Sequence, residues 1–400
     1  MRILFADSFP EHLRSQFVGH TVDIRPDLDG DGLIEAIDSF EVLVVRSTKV
    51  PVEVLSAGRS LELVIRAGAG TNTIDVQAAS ERGIFVCNVP GKNAIAVAEL
   101  VMGLITSIDR RIPDNVADLR AGVWNKKLYS KADGLAGKTL AVVGLGEIGL
   151  AVAERARAFD MIVLAADKGG RPKASITRAR QVGVIFVPDD DTLLGSADIV
   201  SLHVPLIEST RHLVDRAFLD KCRDGAWIIN TSRGEVVNEA DLMEALDTRD
   251  MMAGLDVFAD EPTSPAGEFV SEIARHRRVY GTHHIGASTE QAQNAIAEEV
   301  ASIVERFANG EVTNCVNLVD TPLGPCTVTV RHLDKVGVLS ELLGVLKAAD
   351  VNVEQMNNQI FQGAVAAVAT IRTAQGISDE VADQLRQVDH VLGVTVQTEE

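Results

Sequence analysis

From Arg2 to Ile285 the chain repeats one pattern: a short unbroken apolar run, then a segment of helical periodicity, then another apolar run. The first series has runs at 2–6, 21–24, 42–46, 61–67 and 84–88. The second reads "TLAVVGLG", "MIVLAAD", "VIFV", "DIVSLHV", "AWIINTS", "MAGLDVF" and "RVYGTHHI". Unbroken runs, rather than alternating ones, suit strands covered on both faces. Strand–helix alternation then implies parallel sheets with helices on either side. Between the series lies "NAIAVAELVMGLITSIDRRI", apolar at Ile95, Ala98, Leu100, Val101, Leu104, Ile105 and Ile108. Apolar nearly all round, it predicts a helix buried between lobes or against a partner subunit. The amphipathic "EQAQNAIAEEVASIVERFANG" closes the second series at an Asn309-Gly310 stop.

The stretch 317–325 has two prolines, a glycine and no periodicity, and reads as a linker. Residues 326–400 then run strand, helix, strand, strand, helix, strand, the ferredoxin-like split order. The expected fold class is α/β, with two doubly wound parallel-sheet domains (Rossmann- and flavodoxin-like) and a C-terminal α+β ferredoxin-like domain.

Composition narrows the function. A chain of 400 residues, 46% hydrophobic and 24% charged, fits two or three ordered domains. No apolar run reaches the length of a bilayer span, and the N-terminus reads as a first strand rather than a signal peptide. Four scattered cysteines, Cys87, Cys222, Cys315 and Cys326, form no C-x-x-C pair. This argues against a metal site or a disulfide framework and for a cytoplasmic location. The net charge of −19, with no basic stripe, argues against nucleic acid as a partner. It also means that anionic ligands need a few local arginines working against the overall field.

In "LAVVGLGEIGLAVAERARAF" the glycines Gly144, Gly146 and Gly149 end a strand and open a helix. The first permits a tight turn, the second lets backbone approach a pyrophosphate, and the third lets helix pack on strand. The helix N-terminus then faces the anion. Asp167 ends the next strand, where a carboxylate accepts from an adenosine ribose and repels a 2′-phosphate, which favours NAD over NADP. Lys168 and Arg171 lie close by and oppose that preference.

"NTSRGEVV", "GLDVFADEP" and "THHIGAS" sit where strands of the second series end, and offer Arg233, Asp256, Glu261 and two histidines. Arginine matches a carboxylate, histidine passes a proton near neutral pH, and a carboxylate beside it orients the ring. These parts suit hydride transfer between a 2-hydroxy acid and nicotinamide. If the segment enters as a strand, only one of His283 and His284 faces the site. "AGAGTNTID" offers backbone donors at Ala69 and Gly70 to a carboxylate or phosphate.

"GLGEIG" with Asp167, "LHVPL", "NTSRGEVVNEADL", "LDVFADEP" and "HIGAST", taken in this order, resemble the D-isomer-specific 2-hydroxyacid dehydrogenase family over nearly the whole chain. The resemblance implies a catalytic trio of Arg233, Glu261 and His284, with His283 where the family usually has proline. It implies backbone contacts from Glu147 and Ile148 to the pyrophosphate, and a nicotinamide wall of Val204, Thr231 and Ser232. Asp256 would hold the carboxamide. A discontinuous substrate domain (1–92 and 285–316) would enclose a nucleotide domain (93–284). Substrate contacts fall on Arg46, Ser47, Lys49 and Asn93, and on Lys126 reaching a neighbouring subunit. Thr48 stands where a second arginine is common, with Lys49 as its replacement.

Residues 326–400 resemble an ACT domain. The likeness implies an amino-acid effector site at His332, Asp334 and Asn352 and assembly into a homodimer or homotetramer. The substrate expected from the arginine loop and this tail is a phosphorylated 2-hydroxy acid. The rivals are a dehydrogenase for an unphosphorylated hydroxy acid and a non-enzymatic NAD sensor.

Overall fold

The protein is described here from a computed structural model, for residues 1–28, 30–262, 266–319 and 324–398. The chain divides into two compact units, Met1–Asn317 and Leu318–Glu400. The linker expected at 317–325 falls at this division, and its residues 320–323 lie outside the described residues.

The first unit contains two parallel sheets. One is built from β1 (Arg2–Phe5), β2 (Thr21–Ile24), β3 (Val42–Val45), β4 (Leu63–Arg66) and β5 (Phe85–Asn88), in the order β2-β1-β3-β4-β5. The four residues of β3 are fully buried. Such a strand has no polar face to give, which is why its sequence is unbroken Val-Leu-Val-Val.

The second sheet has seven strands: β6 (Thr139–Val143), β7 (Ile162–Ala166), β8 (Val184–Val187), β9 (Ile199–Leu202), β10 (Trp227–Asn230), β11 (Met252–Leu255) and β12 (Val279–Gly281). Their order is β12-β11-β10-β9-β6-β7-β8, all parallel. The order reverses between β6 and β9, and ligands of such sheets bind in the crevice beyond the C-terminal ends of the strands at that point.

Helix Ala94–Arg110 follows β5 and packs on β11, β12 and helix Glu147–Ala158. Gly254 in β11 admits it, since a Cβ there would lie 3.1 Å from the Leu104 Cβ. The all-round burial expected from its sequence is not found, because Ile95 is 57% exposed. The chain returns to the first sheet through helix Glu290–Ala308. Its Ile296, Val300, Ile303 and Val304 join Ile3, Phe5, Val44 and Ile65 in one core. Each such side chain contributes about 1.5–3 kcal/mol by burial, which fixes this helix to the lobe the chain left near Asn88.

The second unit is a four-stranded antiparallel sheet of β13 (Cys326–Leu333), β14 (Val353–Ile360), β15 (Ala366–Thr373) and β16 (Val391–Thr398), in the order β14-β15-β13-β16. Helices Val338–Ala348 and Asp379–Gln387 supply Leu342, Leu346 and Leu385 to its core. This is the ferredoxin-like arrangement.

Candidate active site

The glycine turn sits at the reversal between β6 and β9. Gly144 has φ +102°, and a Cβ there would meet the His203 carbonyl oxygen at 2.3 Å. A Cβ on Gly149 would lie 2.0 Å from the Gly144 carbonyl oxygen. Gly146 has open space in front of it, on the side where a pyrophosphate approaches the helix N-terminus. The residues present therefore fit a dinucleotide.

Ile148 packs into the core, and Val204 stands against Gly144, 3.2 Å from the position of its missing Cβ. The Glu147 side chain turns aside and forms a two-pronged pair with Arg178, 2.7 Å at Oε2. The Arg178 hydrogen bonds hold the Glu147 carboxyl below the usual carboxylate range and offset a negative charge beside the phosphate position.

Asp167 is exposed just after β7. Its basic neighbours are engaged elsewhere. Lys168 pairs with Asp190 at 3.1 Å. Arg171 donates to the Ala166 carbonyl at 2.7 Å and lies over the Phe186 ring. The objection they raised to an NAD preference loses its force.

At the end of β10, the buried Asn230 shapes the turn that carries Arg233. Its Oδ1 accepts from the Ser232 N–H at 3.0 Å and from the Ser232 hydroxyl at 2.7 Å, and its Nδ2 donates to the Arg233 carbonyl at 2.9 Å. The Thr231 hydroxyl oxygen is buried with no partner among the described residues.

The histidines do not belong to a strand. β12 ends at Gly281, so alternation across a sheet does not select between them. His284 has φ +53°, in the left-handed region. Its N–H donates to the Asp256 carbonyl at 2.8 Å, and its Nδ1 lies 2.7 Å from Glu261 Oε2. Glu261 Oε1 accepts from the Phe258 N–H at 3.0 Å. Burial alone would push the Glu261 carboxyl up. The hydrogen bonds from His284 and Phe258, with the charges of His284 and Arg233, outweigh it and hold the group below its usual range. A carboxylate at Nδ1 fixes the ring with that nitrogen as donor, which leaves Nε2 to take a proton. His283 is exposed beside it.

Asp256 lies beneath the same turn. Its carboxylate is buried and turned onto its own chain. It accepts from Thr282 Oγ1 at 2.6 Å and from the N–H groups of Ile285 and Gly286, each at 2.9 Å. It braces the turn that carries His284.

The first sheet supplies the opposite wall. Asp7 Oδ2 accepts from the N–H groups of Arg46, Ser47 and Thr48 at 2.6, 3.1 and 3.2 Å, which fixes the loop after β3. Arg46 Nη1 donates to Gln293 Oε1 at 2.8 Å, and Gln293 Nε2 donates to the Ala287 carbonyl at 2.9 Å. Lys49 is exposed. Asn88 Nδ2 donates to the Ala69 carbonyl at 2.7 Å. Arg233 lies over Gly70, where a Cβ would be 2.6 Å from its Nη2. Asn93 caps no helix N–H, and its Oδ1 is buried without a partner among the described residues. Lys126 is exposed on the short helix Lys126–Tyr129.

The sequence reading missed Arg66, at the end of β4. Its guanidinium folds back over Gly68, and its Nε is buried with no partner among the described residues. Burial, followed by the charges of Arg233 and Arg46, pushes its pKa down to about 10, with Asp7 opposing. Among the described residues, Arg46, Arg66 and Arg233 form no ion pair. Three clustered cations without carboxylate partners are suited to an anion.

The effector candidates do not form one cluster within a chain. His332 pairs with Ala367 at one end of the sheet, whereas Asn352 precedes Val353, opposite Thr373 at the other. Six strand positions separate the two ends, about 20 Å. His332 is buried and hydrogen-bonded to the Leu333 carbonyl and the Asn358 amide. Asp334 follows β13, its N–H donating to the Val365 carbonyl, and Asn352 Nδ2 donates to Glu354 Oε1 at 2.8 Å.

Residues 102–286 match the family profile described as D-isomer specific 2-hydroxyacid dehydrogenase, NAD binding domain. A hydroxypyruvate reductase of Thermotoga maritima is 43% identical over 275 residues, covering 68% of this chain and 86% of the relative. A D-3-phosphoglycerate dehydrogenase of Archaeoglobus fulgidus is 38% identical over 325 residues, covering 80% of this chain; the chain spans 59% of that relative's length. A crystal structure of D-lactate dehydrogenase from Aquifex aeolicus, complexed with NAD and lactic acid, is 25% identical, covers 80% of this chain and 100% of that one, and superposes with a TM-score of 0.68.

Proposed function

The chain belongs to the D-isomer-specific 2-hydroxyacid dehydrogenase family, and we propose that it is the D-3-phosphoglycerate dehydrogenase of its host. The reaction is the NAD-dependent oxidation of 3-phospho-D-glycerate to 3-phosphohydroxypyruvate, the entry step of serine synthesis. One observation supports the substrate assignment: Arg46, Arg66 and Arg233 lie close enough to repel one another, Arg233 acts on the Glu261–His284 pair, and among the described residues the three form no ion pair. A substrate with a carboxylate and a phosphate supplies the two anions that such a cluster lacks. The identity to phosphoglycerate dehydrogenases supports the same reading.

The chain's residues divide the work. Arg233 holds the substrate carboxylate against the backbone of Ala69 and Gly70. Arg46 and Arg66 hold the phosphate, with Ser47 and Lys49 at its outer edge and Asn93 beside it. His284 Nε2 removes the hydroxyl proton, and Glu261 stabilises the imidazolium that forms. Nicotinamide, when bound, would supply the hydride acceptor. Gly144, Gly146, Gly149, Glu147 and Ile148 orient the dinucleotide, Asp167 takes its ribose, and Val204, Thr231 and Ser232 face its reactive end.

A cytoplasmic location belongs to the same reading, since the four scattered cysteines have no C-x-x-C pair and no spacing of a disulfide-rich scaffold. No described helix is long and apolar enough to cross a membrane. Self-association is supported by the apolar surface of Leu119, Val123 and Trp124, the last 80% exposed. Lys126 follows this surface and would reach a partner's site. Because His332 and Asn352 lie at opposite ends of one sheet, an amino-acid effector bridging them needs two copies of the second unit.

The test is reduction with NADH of 3-phosphohydroxypyruvate, hydroxypyruvate and pyruvate. Preferred turnover of the phosphorylated acid is expected. Equal or faster turnover of hydroxypyruvate would assign the chain to an unphosphorylated substrate, as the Thermotoga relative's name describes.

A further inference from the structure

Two thiols that the proposed chemistry does not use stand side by side. Cys87 lies in β5, the edge strand of the first sheet. Cys315 lies in the segment that follows helix Glu290–Ala308 and leads out of the first unit. That segment runs antiparallel to β5, with Cys87 directly opposite Cys315. The Asn88 N–H donates to the Asn314 carbonyl at 3.1 Å, and the Val316 N–H donates to the Val86 carbonyl at 2.8 Å. Bonds that flank a pair in this way mark it as non-hydrogen-bonded, the closer kind, with Cα atoms about 4.5 Å apart and side chains on one face. A disulfide needs a Cα separation of roughly 4.4–6.8 Å.

The register is held firmly. Asn317 Oδ1 accepts from the Val86 N–H at 2.8 Å, and Asn317 Nδ2 donates to the Ile84 carbonyl at 2.9 Å and to Ser80 Oγ at 3.2 Å. Cys87 is buried and Cys315 is partly exposed. The Cys315 thiol donates to Asn317 Oδ1 at 3.1 Å. Burial, with direct contact from Cys315, pushes the Cys87 thiol up to about 12.

We propose that Cys87 and Cys315 form a reversible disulfide that fastens the segment leading out of the first unit to the edge of its sheet. The oxidant is a low-molecular-weight disulfide. The Cys315 thiolate attacks one of its sulfurs, forming a mixed disulfide and releasing one small thiolate, which takes up a proton. The Cys87 thiolate then attacks the Cys315 sulfur and releases the second small thiolate, which takes the other proton. Two protein thiols are oxidised and one small disulfide is reduced to two thiols. The exposed Cys315 reacts first, and closure by the buried Cys87 is the slow step.

The test uses the full chain and glutathione disulfide, followed by alkylation, intact mass and non-reducing peptide mapping. The expected product is lighter by the two thiol hydrogens, contains a peptide linking Cys87 to Cys315, and reverts with dithiothreitol. In Cys87→Ala the glutathione adduct on Cys315 should accumulate, because nothing resolves it. If that variant does not fold, Cys315→Ala decides alone and should give no internal link. A lasting glutathione adduct on Cys315 of the unaltered protein, four unmodified thiols, a link through Cys222, or a link between two chains would each overturn the proposal.

Discussion

On the wall built by β10, β11 and β12, polar groups direct their hydrogen bonds at one another. Glu261 holds His284, Asp256 holds the turn beneath it, and Asn230 holds the turn of Arg233. On the wall built by β3 and β4, Arg46 and Arg66 face Arg233 without an ion pair among the described residues, and the Arg66 Nε has no partner. The first wall is complete in the free protein, and the second has the unpaired charges that the proposed substrate would satisfy. Preorganised proton chemistry needs geometry fixed before substrate arrives. An anion site instead keeps its charges unpaired and accepts the cost in stability.

The comparison breaks most readily at His284. His284→Ala should lower kcat about 10²–10⁴-fold while NADH still binds, as followed by fluorescence. An unchanged kcat would remove the proton-transfer role from this wall. Arg66→Met probes the other wall with two readouts of opposite sign. kcat/KM for the phosphorylated acid should fall roughly 30- to 5,000-fold, the equivalent of about 2–5 kcal/mol. The thermal stability of the ligand-free protein should hold or rise, because an unpaired charge is gone. A loss of stability alongside intact catalysis would make Arg66 an ordinary structural residue.

Asp256→Asn tests the brace. It places an amide N–H against backbone donors and should cost about 1–3 kcal/mol in urea unfolding, with kcat falling as the His284 turn loosens. A shift in NADH affinity alone would favour a carboxamide role.

The smallest effect comes from His203, behind the glycine turn. Burial pushes its pKa down to about 3, and its Nε2 sits 2.8 Å from the Ser201 hydroxyl. The unfolded chain protonates near its ordinary value of about 6.5. The stabilisation from a neutral His203 is therefore fully present above about pH 6.5 and is lost as pH falls toward about 3, by at most ~1.4 kcal/mol per pH unit. His203→Gln should flatten the stability loss between about pH 7 and about pH 5. An unchanged slope would assign the acid sensitivity to other groups.

The strands of both parallel sheets were legible because a strand covered on both faces must be apolar throughout, as Val42–Val45 is. The glycine turn was legible because each glycine answers a separate steric demand. Arg66 was not, since an arginine at the end of an apolar run reads as a strand terminus meeting solvent. Only the fold turns it inward over Gly68. The bracing bonds of Asp256 were not legible, because a strand-end aspartate looks alike whether it faces a ligand, its own chain or both. The two histidines could not be separated by strand alternation, since the strand stops at Gly281 and a left-handed residue aims His284. Cys87 and Cys315 lie too far apart in sequence for spacing to pair them, and β5 brings them together.

The most direct test of the account is the ratio of kcat/KM for 3-phosphohydroxypyruvate to that for hydroxypyruvate, measured with NADH in the unaltered protein and in Arg66→Met. A strong phosphate preference that falls at least about tenfold in the variant is predicted. A preference that survives the variant, or none in the unaltered protein, would contradict the claim that the unpaired arginines are there to hold a phosphate.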